Sequence, residues 1–318
     1  MKDAFNREIS YLRISVTDLC NLRCKYCMPE KGVLKKQHSD ILSVEEIETI
    51  VRAAAELGIN KVRITGGEPL IRNGILEICR KIGRIGGLKE ICLTTNGILL
   101  GGMADELKDA GITRVNISLD TLRPEKFRQI TRGGELADVF RGINASAKAG
   151  LTPLKINTVL IGGFNDDEIS DFIELSRDKE IDVRFIELMP IGESANWDRK
   201  CFIPASKVLE HESRLEPIAV EKRTGVEALY RVPGYKGRIG LINPMSHPFC
   251  LECNRIRVTA DGRLKTCLHS AEEILLKGLP ADDVKKRIAS AIMNKPLRHY
   301  MSESTNSESI RNMFQIGG

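Results

Sequence analysis

The chain has 318 residues, 42% apolar and 29% charged, enough to bury one large domain plus an appendage. A net charge of +5, spread along the chain rather than gathered into tracts, does not indicate nucleic acid and suits an anionic small ligand. No apolar run approaches the ~20 residues a membrane span needs, and the first residues hold no apolar signal core, so the expected location is the cytoplasm, with no membrane partner.

From residue 9 to residue 189, short strand-like runs alternate with longer helical patterns. The strands are expected at 11–16, 61–65, 90–95, 114–119, 154–160 and 182–188. A helix over 43–57 opens with a capping box, Ser43 and Glu46, and closes on Gly58. Further helices are expected over 74–85, 103–110, 136–149 and 166–179. Six strand–helix units in series imply right-handed crossovers and a parallel sheet. They are too few for a closed eightfold barrel, so the expected fold is α/β: a partial (β/α)6 TIM-like barrel over 1–189, capped on its open side by a C-terminal extension over 190–318. Within the extension, residues 190–240 read as irregular and rich in Gly and Pro, 271–277 and 282–293 read as amphipathic helices, and 302–309 as a polar turn.

The two faces of the strands differ. Leu12, Ile14 and Val16 alternate with Arg13, Ser15 and Thr17, Val62 and Ile64 with Arg63 and Thr65. Val115, Ile117 and Leu119 alternate with Asn116 and Ser118, Leu154 and Ile156 with Lys155 and Asn157. Covering helices take the apolar set, which leaves the polar set for the lumen. A barrel of this kind usually fills its lumen with branched apolar side chains. Here Arg13, Arg63, Lys155 and Arg184 converge instead, and because buried cations are costly unless paired, the expected ligand is an anion. An antiparallel sheet with one solvated face would give the same alternation, but the intervening helices argue for crossovers.

Six of the nine cysteines form two sets of three. Cys20, Cys24 and Cys27 follow the first strand as C-x₃-C-x₂-C, and Cys250, Cys253 and Cys267 lie in the extension. Clustered cysteines in a reducing compartment read as metal ligands rather than disulfides. Cys79, Cys92 and Cys201 sit in apolar surroundings and read as core. Three thiolates around a four-iron cluster leave one iron open to bind a small molecule. Structural zinc wants four ligands, and the first set has no fourth nearby, whereas His247 or His269 could complete a zinc site with the second. A two-cluster electron carrier would need full ligation, and a zinc-bearing nucleic-acid module would need more charge and interleaved aromatics. The C-terminal strand ends, where barrel active sites lie, carry the first cysteine loop, Gly66-Gly67-Glu68-Pro69, Thr94-Thr95-Asn96-Gly97, Ser118-Leu119-Asp120 and Glu187-Leu188-Met189-Pro190.

With Tyr26 before Cys27 and Gly-Gly-Glu-Pro after the second strand, the chain resembles the radical S-adenosylmethionine (SAM) superfamily. That resemblance implies that the open iron chelates SAM, whose reductive cleavage gives a 5′-deoxyadenosyl radical, and that Tyr26, Gly67, Ser118 and Met189 bind the cofactor. The second set, followed by Asn254-Arg255-Ile256-Arg257, is similar to the GTP 3′,8-cyclase family of molybdenum-cofactor biosynthesis. So are Arg63-Ile-Thr-Gly-Gly-Glu-Pro-Leu, Arg184-Phe-Ile-Glu-Leu-Met-Pro and the terminal Gly317-Gly318. This resemblance implies two [4Fe-4S] clusters, the second binding the guanine of GTP, and the product (8S)-3′,8-cyclo-7,8-dihydroguanosine 5′-triphosphate. GTP contacts would fall to Arg13, Arg63, Thr94, Lys155, Arg184, Arg255, Ile256 and Arg257, with Arg255 and Arg257 also catalytic, and the Gly-Gly tail would support those arginines inside the site. The partners it implies are a low-potential flavodoxin or ferredoxin and a downstream cyclic pyranopterin monophosphate synthase, and a homodimer is compatible with it. A radical SAM enzyme that modifies a peptide or RNA, using the second cluster as an auxiliary, is the alternative.

Overall fold

The structure, a computed structural model, describes residues 1–34, 37–219, 226–299 and 307–317. All six expected strands form: β1 (Tyr11–Ser15), β2 (Lys61–Thr65), β3 (Glu90–Thr95), β4 (Arg114–Ser118), β5 (Leu154–Leu160) and β6 (Ile181–Glu187). They pair in parallel in that order. The crossovers carry α1 (Val44–Glu56), α2 (Ile75–Gly83), α3 (Ala104–Asp109), α4 (Pro124–Thr131), α5 (Leu136–Lys148) and α6 (Ile169–Glu174). No helix among the described residues is long and apolar enough to cross a membrane.

The extension does more than cap. It contributes α7 (Lys207–His211), β7 (Glu216–Pro217), β8 (Ala228–Arg231), β9 (Ile239–Ile242), β10 (Arg255–Val258), β11 (Arg263–Lys265), β12 (Ile274–Leu275) and α8 (Ala281–Met293). Strand β9 pairs in parallel with β6 and β10 with β1, so the parallel sheet grows at both edges and stays open, flanked by the antiparallel β8–β7 and β11–β12.

Four expectations need correction. Residues 271–277 do not form a helix: Ile274 and Leu275 pair with β11, and Glu273 reaches Arg311 at 2.5 Å. Consecutive apolar residues there fit a short strand as well as a helix, and the free edge of β11 decides between them. The segment 190–240 is not wholly irregular, since it holds α7 and β7 to β9. The helix expected over 166–179 is a single 3₁₀ turn followed by α6. Helix α4, opened by Pro124 in its first turn, was not foreseen.

The outward faces of the strands build the core. Leu12, Ile14, Val62, Ile64, Val115, Ile117, Leu154 and Ile156 are buried and pack with the inner faces of the helices. The same core continues into Ile256 and Val258 of β10 and Val284 and Ile288 of α8. Each such side chain contributes ~1.5–3 kcal/mol of burial. Phe172 meets Phe185 edge to face, with centroids 6.2 Å apart. The capping box forms as read: Ser43 Oγ accepts from the Glu46 amide at 3.1 Å, and Glu46 Oε2 accepts from the Ser43 amide at 2.8 Å. Ser43→Ala is expected to lower stability by about 1 kcal/mol, read as a shift of the urea midpoint at unchanged slope.

Candidate active site

The C-terminal strand ends open into one cavity of about 540 Å³. The polar faces of the strands line it, as the alternation requires. Pairing register sets Arg257, Arg13 and Arg63 side by side on β10, β1 and β2, and Arg255, Tyr11 and Lys61 side by side in the adjacent layer. Neighbouring strands run ~4.8 Å apart, so these cations crowd. Burial and then Arg257 push the Arg13 guanidinium well below its usual range. Burial, then Arg255, push Arg257 down to about 10. Tyr11 separates the charges: its ring lies under Arg63 at 5.8 Å, Arg255 at 5.6 Å and Lys61 at 5.0 Å. Arg63 Nε also donates to the Tyr11 hydroxyl and Arg63 Nη1 to Thr94 Oγ1. Burial resists ionisation of the Tyr11 phenol, but Arg63, Arg13 and Arg255 outweigh it and bring it down to about 8.

On the far wall the cations have internal partners. Arg184 Nη2 lies 2.5 Å from Glu227 Oε1, and Lys155 Nζ lies 3.2 Å from Asp182 and 3.7 Å from Glu227. Burial opposes the charge on Glu227, yet Arg184 and Lys155 hold its carboxyl down at about 2. Lys155 is pushed down to about 8, by burial first and by Arg184 next. Carboxylates thus offset the cations on the β5–β6 side; on the β1–β2–β10 side the arginines crowd, while Lys61 pairs with Glu90 at 2.6 Å.

The first cysteine loop seals one end. Cys20, Cys24 and Cys27 line the cavity, with Tyr26 beside them. The Tyr26 hydroxyl donates to Asp120 Oδ2 at 2.7 Å, and Asp120 Oδ1 accepts from the Val159 amide at 2.9 Å. Burial pushes the Asp120 carboxyl up to about 6. Gly67 presses against the loop: a Cβ there would stand 2.3 Å from the Leu19 carbonyl oxygen, so no other residue fits. Buried Glu68 joins loop to barrel, accepting from Thr95 Oγ1 at 2.8 Å, the Asn96 amide at 2.7 Å and the Leu70 amide at 3.0 Å. Burial drives the Cys20 thiol up to about 11 and Cys27 up to about 12, so bare thiolates are costly here and a cationic group would relieve them.

The second set lies at the opposite end, because it precedes β10 and follows β11, and β10 runs parallel to β1, which the first set follows. Cys250 and Cys253 flank a 3₁₀ turn before β10, and Cys267 follows β11. Burial raises the Cys253 thiol, but Lys295, Arg255 and Arg257 outweigh it and bring it below the usual range. No three His, Cys, Asp or Glu side chains among the described residues converge as a single metal ion demands. His269, one of the two candidate zinc ligands with His247, meets Ser307 Oγ at 3.2 Å and lies tilted against His299, with ring centroids 4.6 Å apart.

Between the two ends runs the tail. Arg257 Nη1 donates to the carbonyls of Ile316 at 3.0 Å and Gly317 at 3.2 Å, and the Phe314 amide is hydrogen-bonded to Cys27. Gly317 has φ +72, and a Cβ there would meet Thr65 Oγ1 at 2.2 Å. Gly318 lies outside the described residues.

Gly67, Ser118, Met189, Thr94, Lys155, Arg184 and Arg255 all line this cavity, as do Arg13, Arg63 and Arg257. Ile256 does not: its side chain is fully buried in the core, because strand alternation turns it away from its two arginine neighbours. A contact from Ile256 to a cavity ligand has to run through its main chain. The cavity also holds Tyr11, Lys61, Arg114 and Glu227, none singled out in the sequence. The first three lie two residues before Arg13, Arg63 and Asn116, so the same alternation carried one step back finds them. Nothing local marks Glu227.

The radical SAM superfamily model matches residues 14–176, and the Molybdenum Cofactor Synthesis C model matches residues 181–301. A GTP 3′,8-cyclase of Alkaliphilus oremlandii is 53% identical, with all of both chains covered. Another, of Peptoclostridium acidaminophilum, is 52% identical over 99% of this chain and 98% of its own. Among solved structures, Streptococcus suis SuiB superposes with a TM-score of 0.62 at 14% identity, covering 98% of this chain and 78% of that one. At that identity the likeness concerns the fold alone.

Proposed function

The chain belongs to the radical SAM superfamily and, within it, to the GTP 3′,8-cyclase family, and from that premise we propose how its cavity turns GTP into 3′,8-cyclo-7,8-dihydro-GTP. The observation that carries the reading is the placement of two incomplete cysteine sets at opposite ends of one cationic cavity. The donor chemistry suits iron–sulfur clusters: each set offers three thiols, and three thiolates leave one iron of a four-iron cluster open. Cys20, Cys24 and Cys27 would hold one [4Fe-4S] cluster and Cys250, Cys253 and Cys267 a second. The first cluster with SAM would supply the 5′-deoxyadenosyl radical that takes the hydrogen atom from C3′ of GTP.

The protein's part is orientation, charge and exclusion of water. Gly67 offers its bare backbone to the SAM amino acid, while Tyr26, Ser118 and Met189 face the remainder of the cofactor. Arg13, Arg63, Thr94, Lys155, Arg184, Arg255 and Arg257, with the Ile256 main chain, would hold GTP. Arginine forks suit phosphate oxygens and bases alike. With C3′ held toward the first loop and guanine toward the second, a C3′–C8 bond forms at the expense of the C8–N7 double bond. One electron and one proton at N7 complete the product. Arg255 and Arg257, on the strand that follows the second cysteine set, are the groups we assign to this step.

In this reading residues 1–189 carry the SAM chemistry and 190–318 the base-binding end. A low-potential flavodoxin or ferredoxin would supply the electrons, and a cyclic pyranopterin monophosphate synthase would take the product. Anaerobic reconstitution, followed by SAM, reductant and GTP, tests the proposal. It expects about eight irons per chain, from two four-iron sites, and 5′-deoxyadenosine formed in step with cyclised nucleotide. About four irons, or no cyclised product, would overturn it.

Affinity for GTP should also depend on pH. Below about 8 Lys155 is cationic and Tyr11 neutral, and above it Lys155 loses its charge while Tyr11 gains a negative one. Both changes disfavour a triphosphate, so affinity should fall from pH 7 to pH 9, by up to about tenfold for each group. Calorimetry on the Lys155→Arg/Tyr11→Phe double variant should show a flatter profile. An unaltered slope would refute the assignment.

A further inference from the structure

Two arginines outside the mechanism close on the back of the first cysteine loop. Arg23 Nη1 donates to the Cys20 carbonyl at 2.5 Å and the Leu22 carbonyl at 2.8 Å. Arg132 Nη1 donates to the carbonyls of Arg23 and Met28, both at 3.1 Å. These four acceptors adjoin all three cysteines. The end of α4 completes the grip, because the amides of Arg23 and Lys25 donate to the Thr131 carbonyl at 2.9 Å and the Ile130 carbonyl at 3.0 Å.

Several features show that this grip is built. Arg132 takes the left-handed conformation, φ 56 and ψ 46, which is strained for a residue with a Cβ. Asn6 is the one other non-glycine with positive φ among the described residues. A Cβ on Gly134 would come within 2.9 Å of Leu22 in the loop, and one on Gly32 within 2.5 Å of the Arg23 guanidinium. The second cysteine set has a comparable brace with its charge cancelled: Arg7 Nη1 donates to the Cys250 carbonyl at 2.8 Å, but Arg7 Nε lies 2.6 Å from Asp3. Arg23 and Arg132 form no carboxylate ion pair among the described residues, so their charge offsets that of Glu68, Asp120 and Glu193, the carboxyls that act on the first set.

We propose that Arg23 and Arg132 are positioning residues that fix the spacing of Cys20, Cys24 and Cys27 and, by their charge, raise the reduction potential of the cluster held there. The proposal rests on reading the first set as an iron–sulfur site. Reduction adds one electron, from the external carrier, to a cluster in a partly dehydrated pocket, where nearby positive charge stabilises the reduced form. The guanidiniums exchange neither proton nor electron. Their Nη1 atoms, each shared between two carbonyls, hold the loop in shape while the cluster changes charge.

The test is a redox titration of the reconstituted full-length protein, followed by electron paramagnetic resonance, with the first cluster identified by the change SAM causes in its signal. Arg132→Gln is expected to keep iron while its reduced-to-oxidised ratio at a fixed solution potential falls about tenfold, equal to about 59 mV for one electron. Arg132→Lys keeps the charge but loses the rigid guanidinium plane that aims Nη1 at both carbonyls, so it should hold the wild-type ratio but lose iron faster to a chelator. The second cluster should titrate unchanged in both. A wild-type ratio in Arg132→Gln, or an equal fall in Arg132→Lys, overturns the proposal. Should Arg132→Gln fail to hold iron, Arg23→Gln carries the same measurement, and loss of iron from both would leave the arginines a purely structural role and overturn it. A wild-type protein with no SAM-sensitive signal would instead sink the reading of the cysteine set itself.

Discussion

Replacing any one of Cys20, Cys24 or Cys27 with alanine should abolish 5′-deoxyadenosine formation, whereas replacing Cys250, Cys253 or Cys267 should stop cyclisation but spare SAM cleavage. The two sets sit at opposite ends of the cavity, and each supplies three thiols. Losing residues that merely support a metal ligand costs ~10–100-fold in affinity or activity, so losing a ligand should cost at least that. At the first end this removes the source of the radical. At the second it would, on the proposed reading, remove the group that orients the base, so that the radical is made without a well-placed C3′ hydrogen. The uncoupling ratio, 5′-deoxyadenosine over cyclised nucleotide, should therefore rise steeply in the second series. It is undefined in the first, where both products vanish. Equal loss of SAM cleavage in the two series would show that the sets do not divide the work in this way.

Arg257→Ala is the second large effect. Arg257 is buried, stands in register beside Arg13, and holds the Ile316 and Gly317 carbonyls. Hydrogen bonds to a charged group contribute ~1.5–3 kcal/mol each, so loss of a ligand contact together with the tail anchor should weaken GTP binding or turnover ~100-fold or more. Lysine should not rescue, since one ammonium cannot reproduce a fork that reaches two carbonyls and a ligand. An exposed arginine gives the contrast. Arg128 pairs with Glu135 at 2.9 Å with both side chains more than half exposed, so Arg128→Ala should change neither activity nor stability beyond ~0.5 kcal/mol. Steady-state kinetics on the two variants decides. A mild effect at Arg257 would remove it from the machinery we assign.

Much of this site was legible because a strand has period two. Once Arg13, Arg63, Asn116 and Lys155 fell on one face, their convergence followed from the crossovers, and the cysteine spacing supplied the chemistry. What stayed hidden depends on distant pairing. Strand β10 lies beside β1 across more than two hundred residues of chain, and this alone brings Arg257 next to Arg13. Glu227 enters the lumen from beside β8, at the far edge of the sheet, and Gly240 leaves room for it: a Cβ there would stand 3.3 Å from both Arg184 and Glu227. No local pattern records such a contact. The misread segment 271–277 teaches the same lesson, since its apolar residues suit a helix until the free edge of β11 claims them. Arg132 belongs here too. Its left-handed turn is visible only when the loop that it grips is seen beside it.

The central claim is that the cavity presents C3′ of GTP to the radical made at Cys20, Cys24 and Cys27. Anaerobic turnover of GTP deuterated at C3′, with mass analysis of the 5′-deoxyadenosine formed, tests it most directly. One deuterium should be carried into 5′-deoxyadenosine, and none should remain at C3′ of the cyclised nucleotide. Unlabelled 5′-deoxyadenosine, with the deuterium retained in the nucleotide, would contradict it.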